Sequence, residues 1–139
     1  MNSYTYHDYG ALLLRVSLGV VMLAHSAYLK LFVFTLPGTA QFFTSIGLPG
    51  WFAYLVFLIE VIGGIALILG AYTRIAALSL SLVAMGATWT HFGSGWLFSN
   101  QGGGWEYPLF LVITLFVQAL IGSGACAIHS TNKLQGENV

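Results

Sequence analysis

Residues 51–70 read WFAYLVFLIEVIGGIALILG. A helix crossing a bilayer needs ~20 mostly apolar residues, and this stretch has that length and character. One ionisable side chain, Glu60, sits near its middle. A charged, unpaired carboxyl at that depth costs at least ~2.5 kcal/mol, so such residues face a bundle interior and find partners. Gly64 falls on the Glu60 face with Gly63 beside it, which lets neighbouring helices approach closely. The rest of the chain is read as what surrounds that glutamate.

Composition agrees. The 139 residues are 58% hydrophobic and 6% charged, against ~25% charged in soluble domains. Mean hydropathy is +0.84. Four spans of ~20 residues with short loops use the whole length, so residues 1–139 read as one transmembrane domain. The expected fold is all-α, an integral membrane four-helix bundle with spans at about 10–29, 51–70, 75–92 and 107–125. A net charge of +0 argues against nucleic acid as a partner and points to the lipid bilayer. Cys126 is the sole cysteine, so no internal disulfide or cysteine-rich metal site can form, and no metal site is read here. No basic region precedes the first apolar run, so Ala24-His25-Ser26 is not taken as a cleavage site.

Residues 1–9 read as a polar lead. In the first span, Arg15, Gly19, Met22, Ser26 and Lys30 share a face, with His25 at its flank. Residues 31–50 are apolar but broken by Pro37-Gly38 and Pro49-Gly50. They read as an interfacial segment with a short helix from Thr39 to Ile46. Ala71-Tyr72-Thr73-Arg74 makes a tight turn, so the second and third spans are antiparallel neighbours. The third span is rich in Ala, Ser and Gly, a close-packing composition. Residues 93–105 read as a flexible loop, Pro108 suits the first turn of the fourth span, and residues 129–139 form a polar tail. Lys and Arg placement puts the N-terminus, the Arg74 turn and the Lys133 tail on the cytoplasmic side, with Lys30 opposite. The run Trp51…Leu55…Ile59…Gly70-Ala71 also lines up with Trp105…Leu109…Ile113…Gly124-Ala125, as a helix-pair duplication would.

At ~1.5 Å rise per residue, Glu60 lies ~14 Å and His25 ~7 Å below the outer surface. Side chains lean toward their own helix N-terminus, so on antiparallel helices these two lean together. His25 is therefore preferred over Arg15 as the partner of Glu60. Lys30, His91 and Glu106 fall at the same outer half, ringed by Trp51, Trp89, Trp96, Trp105 and Tyr107. That is more ionisable side chain than anchoring requires. Simpler readings stand beside this one. The aromatics suit an interfacial belt, Lys30 a snorkelling anchor, and Glu106 a helix N-terminus. Both histidines suit packing, and Arg15 and Arg74 suit structure or topology.

The order Arg15-x-x-x-Gly19, His25-Ser26-x-x-x-Lys30-Leu31, Glu60-Val61-Ile62-Gly63-Gly64, Leu69-Gly70-x-x-Thr73-Arg74 and Gly103-Gly104-Trp105-Glu106-Tyr107 resembles the DoxX family of small four-span bacterial membrane proteins. The likeness runs from about Tyr9 to His129. Ser26 stands where the family often has glycine. The resemblance implies a bacterial inner membrane location, and the Lys and Arg placement puts both termini in the cytoplasm. It also implies a substrate class, since some members are named as subunits of quinone-linked oxidoreductases or tied to quinone detoxification.

Three functions are weighed. In the first, a quinone binds a membrane oxidoreductase component. His25 and Glu60 exchange protons, Lys30, His91, Glu106 and Trp105 hold the substrate, and a flavin, haem or partner subunit brings electrons. In the second, His25 and His91 ligate a haem b iron. In the third, the protein is a scaffold, a homo-oligomeric assembly partner or a small proton-coupled transporter.

Overall fold

The computed structural model describes residues 4–129, and all regular structure among them is helical. Helix α1 begins at Tyr6, earlier than the polar lead suggests, because Thr5 and Asp8 close a reciprocal capping box around its first turn. After Tyr6–Leu23 the same helix widens into a π-helical stretch, Ala24–Val33. Helix α2 spans Leu36–Ser45, α3 Phe52–Leu69, α4 Thr73–His91 and α5 Glu106–Ile121. The interfacial helix thus starts before Thr39. Thr35 accepts from the Gly38 N–H, and Pro37 occupies the first turn, where a missing donor costs nothing.

Helix α3 stops at Gly70, which adopts φ +71° while the Ala71 N–H reaches back to the Ala66 carbonyl. Left-handed closure of this kind satisfies the last carbonyls of a helix and suits glycine. Helix α5 stops at Ile121, short of the expected 125, because Gly122 leaves the helical region at φ +83°. The chain then folds back under the bundle. Ala125 N–H donates to the Asp8 carbonyl, and Ile128 and His129 N–H donate to Leu69 and Gly70. Lys133 and the polar tail lie outside the described residues.

Helix α1 packs most extensively on α3, and α4 on α5. The α3–α4 contact joins the pairs, α1 touches α5, and α2 lies across α3 and the π-helical stretch. The interior is filled by Leu18, Met22, Leu67, Ala77, Leu80, Leu111 and Leu115. Large apolar side chains also cover the outside, among them Leu13, Leu58, Ile62, Leu82, Phe110 and Leu120. A helix apolar on every face belongs in lipid. Three helices, Tyr6–Val33, Phe52–Leu69 and Thr73–Ser94, are long and apolar enough to cross a membrane, and Glu106–Ile121 is a shorter apolar helix. The protein is a helical membrane bundle.

Two close approaches fix the frame. A Cβ on Gly19 would lie 2.7 Å from the Gly64 carbonyl oxygen, and one on Gly64 would lie 3.2 Å from the Gly19 oxygen. The two backbones therefore touch where α1 crosses α3. Gly63, the residue before Gly64, receives the Leu80 side chain of α4. Arg15, fully buried, donates 3.0 Å bonds to the carbonyls of Leu67, Ile68 and Ala125. It places positive charge at the negative end of α3 and ties the returning C-terminal segment to it. Arg74 is exposed at the start of α4.

Candidate functional site

At the bundle end marked by Lys30, a cavity of about 300 Å³ opens between α1, α3, α4 and α5. Met22, Ala84 and Leu111 give it apolar walls, and His25, Glu60, His91 and Tyr107 bring polar atoms to it. Phe98, Gly103 and Gly104 of the α4–α5 connection close one side.

Glu60 is 6% exposed. Its Oε2 is ion-paired with the Lys30 ammonium. The expected nearer partner was His25, so the pairing is a correction. Lys30 lies in the π-helical stretch, and its long side chain leans toward the helix N-terminus, which is inward here, and so reaches Glu60. The lysine head therefore turns inward to the carboxylate instead of snorkelling outward. In apolar surroundings each charge removes the other's isolation, which is the condition for keeping either ionised there.

His25 sits in the first π-helical turn. Its Nδ1 lies 2.9 Å from the Val21 carbonyl, and the next residue, Ser26, donates to the Met22 carbonyl at 2.9 Å. Side chains that bond carbonyls of the preceding turn compete with the helical ladder and bend helices. A carbonyl only accepts, so Nδ1 carries the hydrogen and Nε2 is left for another partner. The imidazole stacks on Tyr107, with ring centroids 6.1 Å apart and planes at 27°. His91, at the end of α4, is held the same way, with Nδ1 3.0 Å from the Gly102 carbonyl. Gly103, at φ +76°, lets the loop pass against that ring. Two imidazoles with oriented Nδ1 hydrogens thus border one cavity that also holds a lysine-paired carboxylate.

The connection after α4 is a hydrogen-bonded fold rather than the flexible loop expected. Trp105 and Glu106 N–H groups donate to the carbonyls of Gly95 and Trp96, and Glu106 Oε1 accepts from the Phe98 N–H at 3.1 Å. Glu106, expected to hold substrate, is thereby committed to the loop and is not among the cavity walls. Trp105 is also outside the cavity, stacked on Phe92 at 5.3 Å and edge-on to Trp96 at 4.5 Å. Tyr107 takes the place in the wall that the sequence reading gave to its neighbours. Successive helix residues point ~100° apart, so Tyr107 faces the cavity while Glu106 turns to the loop beside it. Gly63, Gly64 and Arg15 occupy packing positions away from the polar groups.

The family pattern of DoxX matches residues 10–93. The chain is 36% identical over 121 residues to a Bacillus subtilis (strain 168) protein named "Putative oxidoreductase CatD", covering 87% of this chain and 85% of that one. No solved structure matches it significantly.

Proposed function

The chain belongs to the DoxX family, and on that premise we propose that it is the quinone-handling membrane component of an oxidoreductase system. The quinone ring lies in the cavity beside His25 and Glu60. The observation that carries this reading is the convergence of two oriented imidazoles and Glu60, itself paired with Lys30 behind the wall, on one largely apolar cavity. Ligand sites are mostly apolar with a few placed polar groups, and ~300 Å³ is at the small end of their range, room for one substituted ring. The name of the Bacillus subtilis relative supports the same class of chemistry.

Reducing a quinone to a quinol takes two electrons and two protons. The side chains at the cavity supply the second kind of particle. His25 Nε2 gives or takes a proton at one ring oxygen while Val21 holds its other nitrogen. Glu60, its charge balanced by Lys30, serves as proton acceptor or donor on the same wall. Electrons come from a flavin, a haem or a partner subunit. In this reading the protein sits in the inner membrane with both termini cytoplasmic, and the site opens on the opposite side.

One observation favours haem as a second reading. A histidine whose Nδ1 hydrogen is held by a carbonyl is oriented to ligate through Nε2, and both His25 and His91 are so held. The cavity volume argues against it, because a porphyrin is much larger than one substituted ring. A Soret band in protein purified from haem-replete cells would support it.

The quinone reading is tested by titrating the purified protein in nanodiscs with a tail-free benzoquinone. We expect Glu60→Gln and His25→Gln each to weaken binding about tenfold, the worth of one good hydrogen bond to a charged or oriented group. Equal affinity in all three proteins overturns it.

A further inference from the structure

Beside the cavity lies a second hollow of about 400 Å³, walled by Trp96, Leu109, Phe110 and Ile113. Phe98 and Tyr107 line both. Within the cavity the deep wall is well buried, and His25, Val83, Ala87, His91 and Gly103 are partly exposed. Met22 and Ala84 are 4% exposed, Glu60 6% and Leu111 9%. The most exposed lining residues are Phe98 at 69% and Tyr107 at 39%, so a mouth opens beside them. The second hollow begins at that mouth. Its floor, Phe110 and Ile113, lies on one face of α5, and both are more than half exposed on a helix whose outer surface meets lipid. The carboxylate of Glu106, the one charged wall of this hollow, is turned to the Phe98 N–H.

We propose that this groove on α5 takes the hydrocarbon tail of the ligand whose ring occupies the cavity. The preferred substrate is then an amphiphilic quinone drawn sideways from the bilayer, bent over the sill made by Phe98 and Tyr107. The inference rests on the quinone reading and adds the tail to it. A cavity that holds only a ring must pass a tail out through an opening, and the most exposed part of its lining is at Phe98 and Tyr107. The mouth delivers it onto an apolar surface that is continuous with the lipid.

The test compares dissociation constants in nanodiscs of one lipid composition for two quinones with the same ring, one tail-free and one with two isoprene units. Each is measured on the wild type, on Ile113→Trp, which fills the groove, and on Leu120→Trp, which adds the same bulk about two helical turns further along the same face of α5, outside the groove lining. Partition of the tailed quinone into lipid is the same for all three proteins and cancels between them. We expect Ile113→Trp to weaken the tailed quinone about tenfold and to leave the tail-free one unchanged. Leu120→Trp should change neither. Equal weakening of both quinones by Ile113→Trp, or an unaltered tailed affinity, overturns the groove while sparing the ring site. Failure of both quinones to bind the wild type overturns the ring site and the groove together.

Discussion

Glu60 lies in the cavity wall and is ion-paired with Lys30, so neither buried group stands without a partner. Removing one member of a buried pair leaves an uncompensated charge and costs ~3–5 kcal/mol, whereas replacing both with apolar groups is often neutral. Lys30→Met should therefore lower stability by about 3 kcal/mol, and adding Glu60→Leu should recover most of the loss. Urea unfolding in micelles, read by tryptophan fluorescence, checks this. Additive losses would contradict the pairing. The glutamate itself was legible from depth alone, since a carboxyl in the middle of WFAYLVFLIEVIGGIALILG demands a partner. Which partner was not legible. Helical geometry at ~1.5 Å per residue places the His25 backbone nearer, and it is the reach of the long Lys30 side chain, leaning inward from the π-helical stretch, that meets the carboxylate. Nothing in Ala24–Val33 advertises that winding as strongly as a proline would advertise a kink.

Helices α1 and α3 meet backbone to backbone at Gly19 and Gly64. A side chain there meets a carbonyl and a helix axis, neither of which can rotate away. Gly19→Val should cost ~1–3 kcal/mol through overpacking, and it should broaden the α1–α3 distance measured between spin labels on the two helices. Gly86→Ala on α4, where an added Cβ meets nothing within 4 Å, should be neutral or slightly stabilising. Equal damage from both would mean that the crossing is not backbone-limited. Spans and crossings of this kind are readable in advance, because apolar length and small residues are local signals. Helix ends are less so. Residues 1–9 read as a polar lead until Thr5 and Asp8 are seen to cap one another, and α5 ends at Gly122 because that residue takes a positive φ. The loop at 93–105 looked flexible by its glycines, yet those glycines let it double back and bond to the start of α5.

Across the molecule, the α1–α3 and α4–α5 pairs enclose a cavity at one end and a buried arginine clamp at the other. His25 and His91 border the cavity from opposite pairs, while Arg15 is buried at the far end and Arg74 is exposed. The fold could be read from composition and period. The cavity could not, because its walls come from separate helices and a loop, and no spacing in the chain joins Tyr107 to His25. Cys126, exposed and alone, reports orientation without engineering. A membrane-impermeant maleimide should label it in inside-out vesicles and not in intact spheroplasts, and the reverse pattern would invert the topology. The site itself is best tested by photolabelling the protein in nanodiscs with an azido-quinone and mapping the modified peptides. Labels should fall on the segments carrying His25, Phe98 and Tyr107 and be displaced by excess unlabelled quinone. Labels scattered over the lipid-facing surface and indifferent to competitor would contradict a quinone site in this bundle.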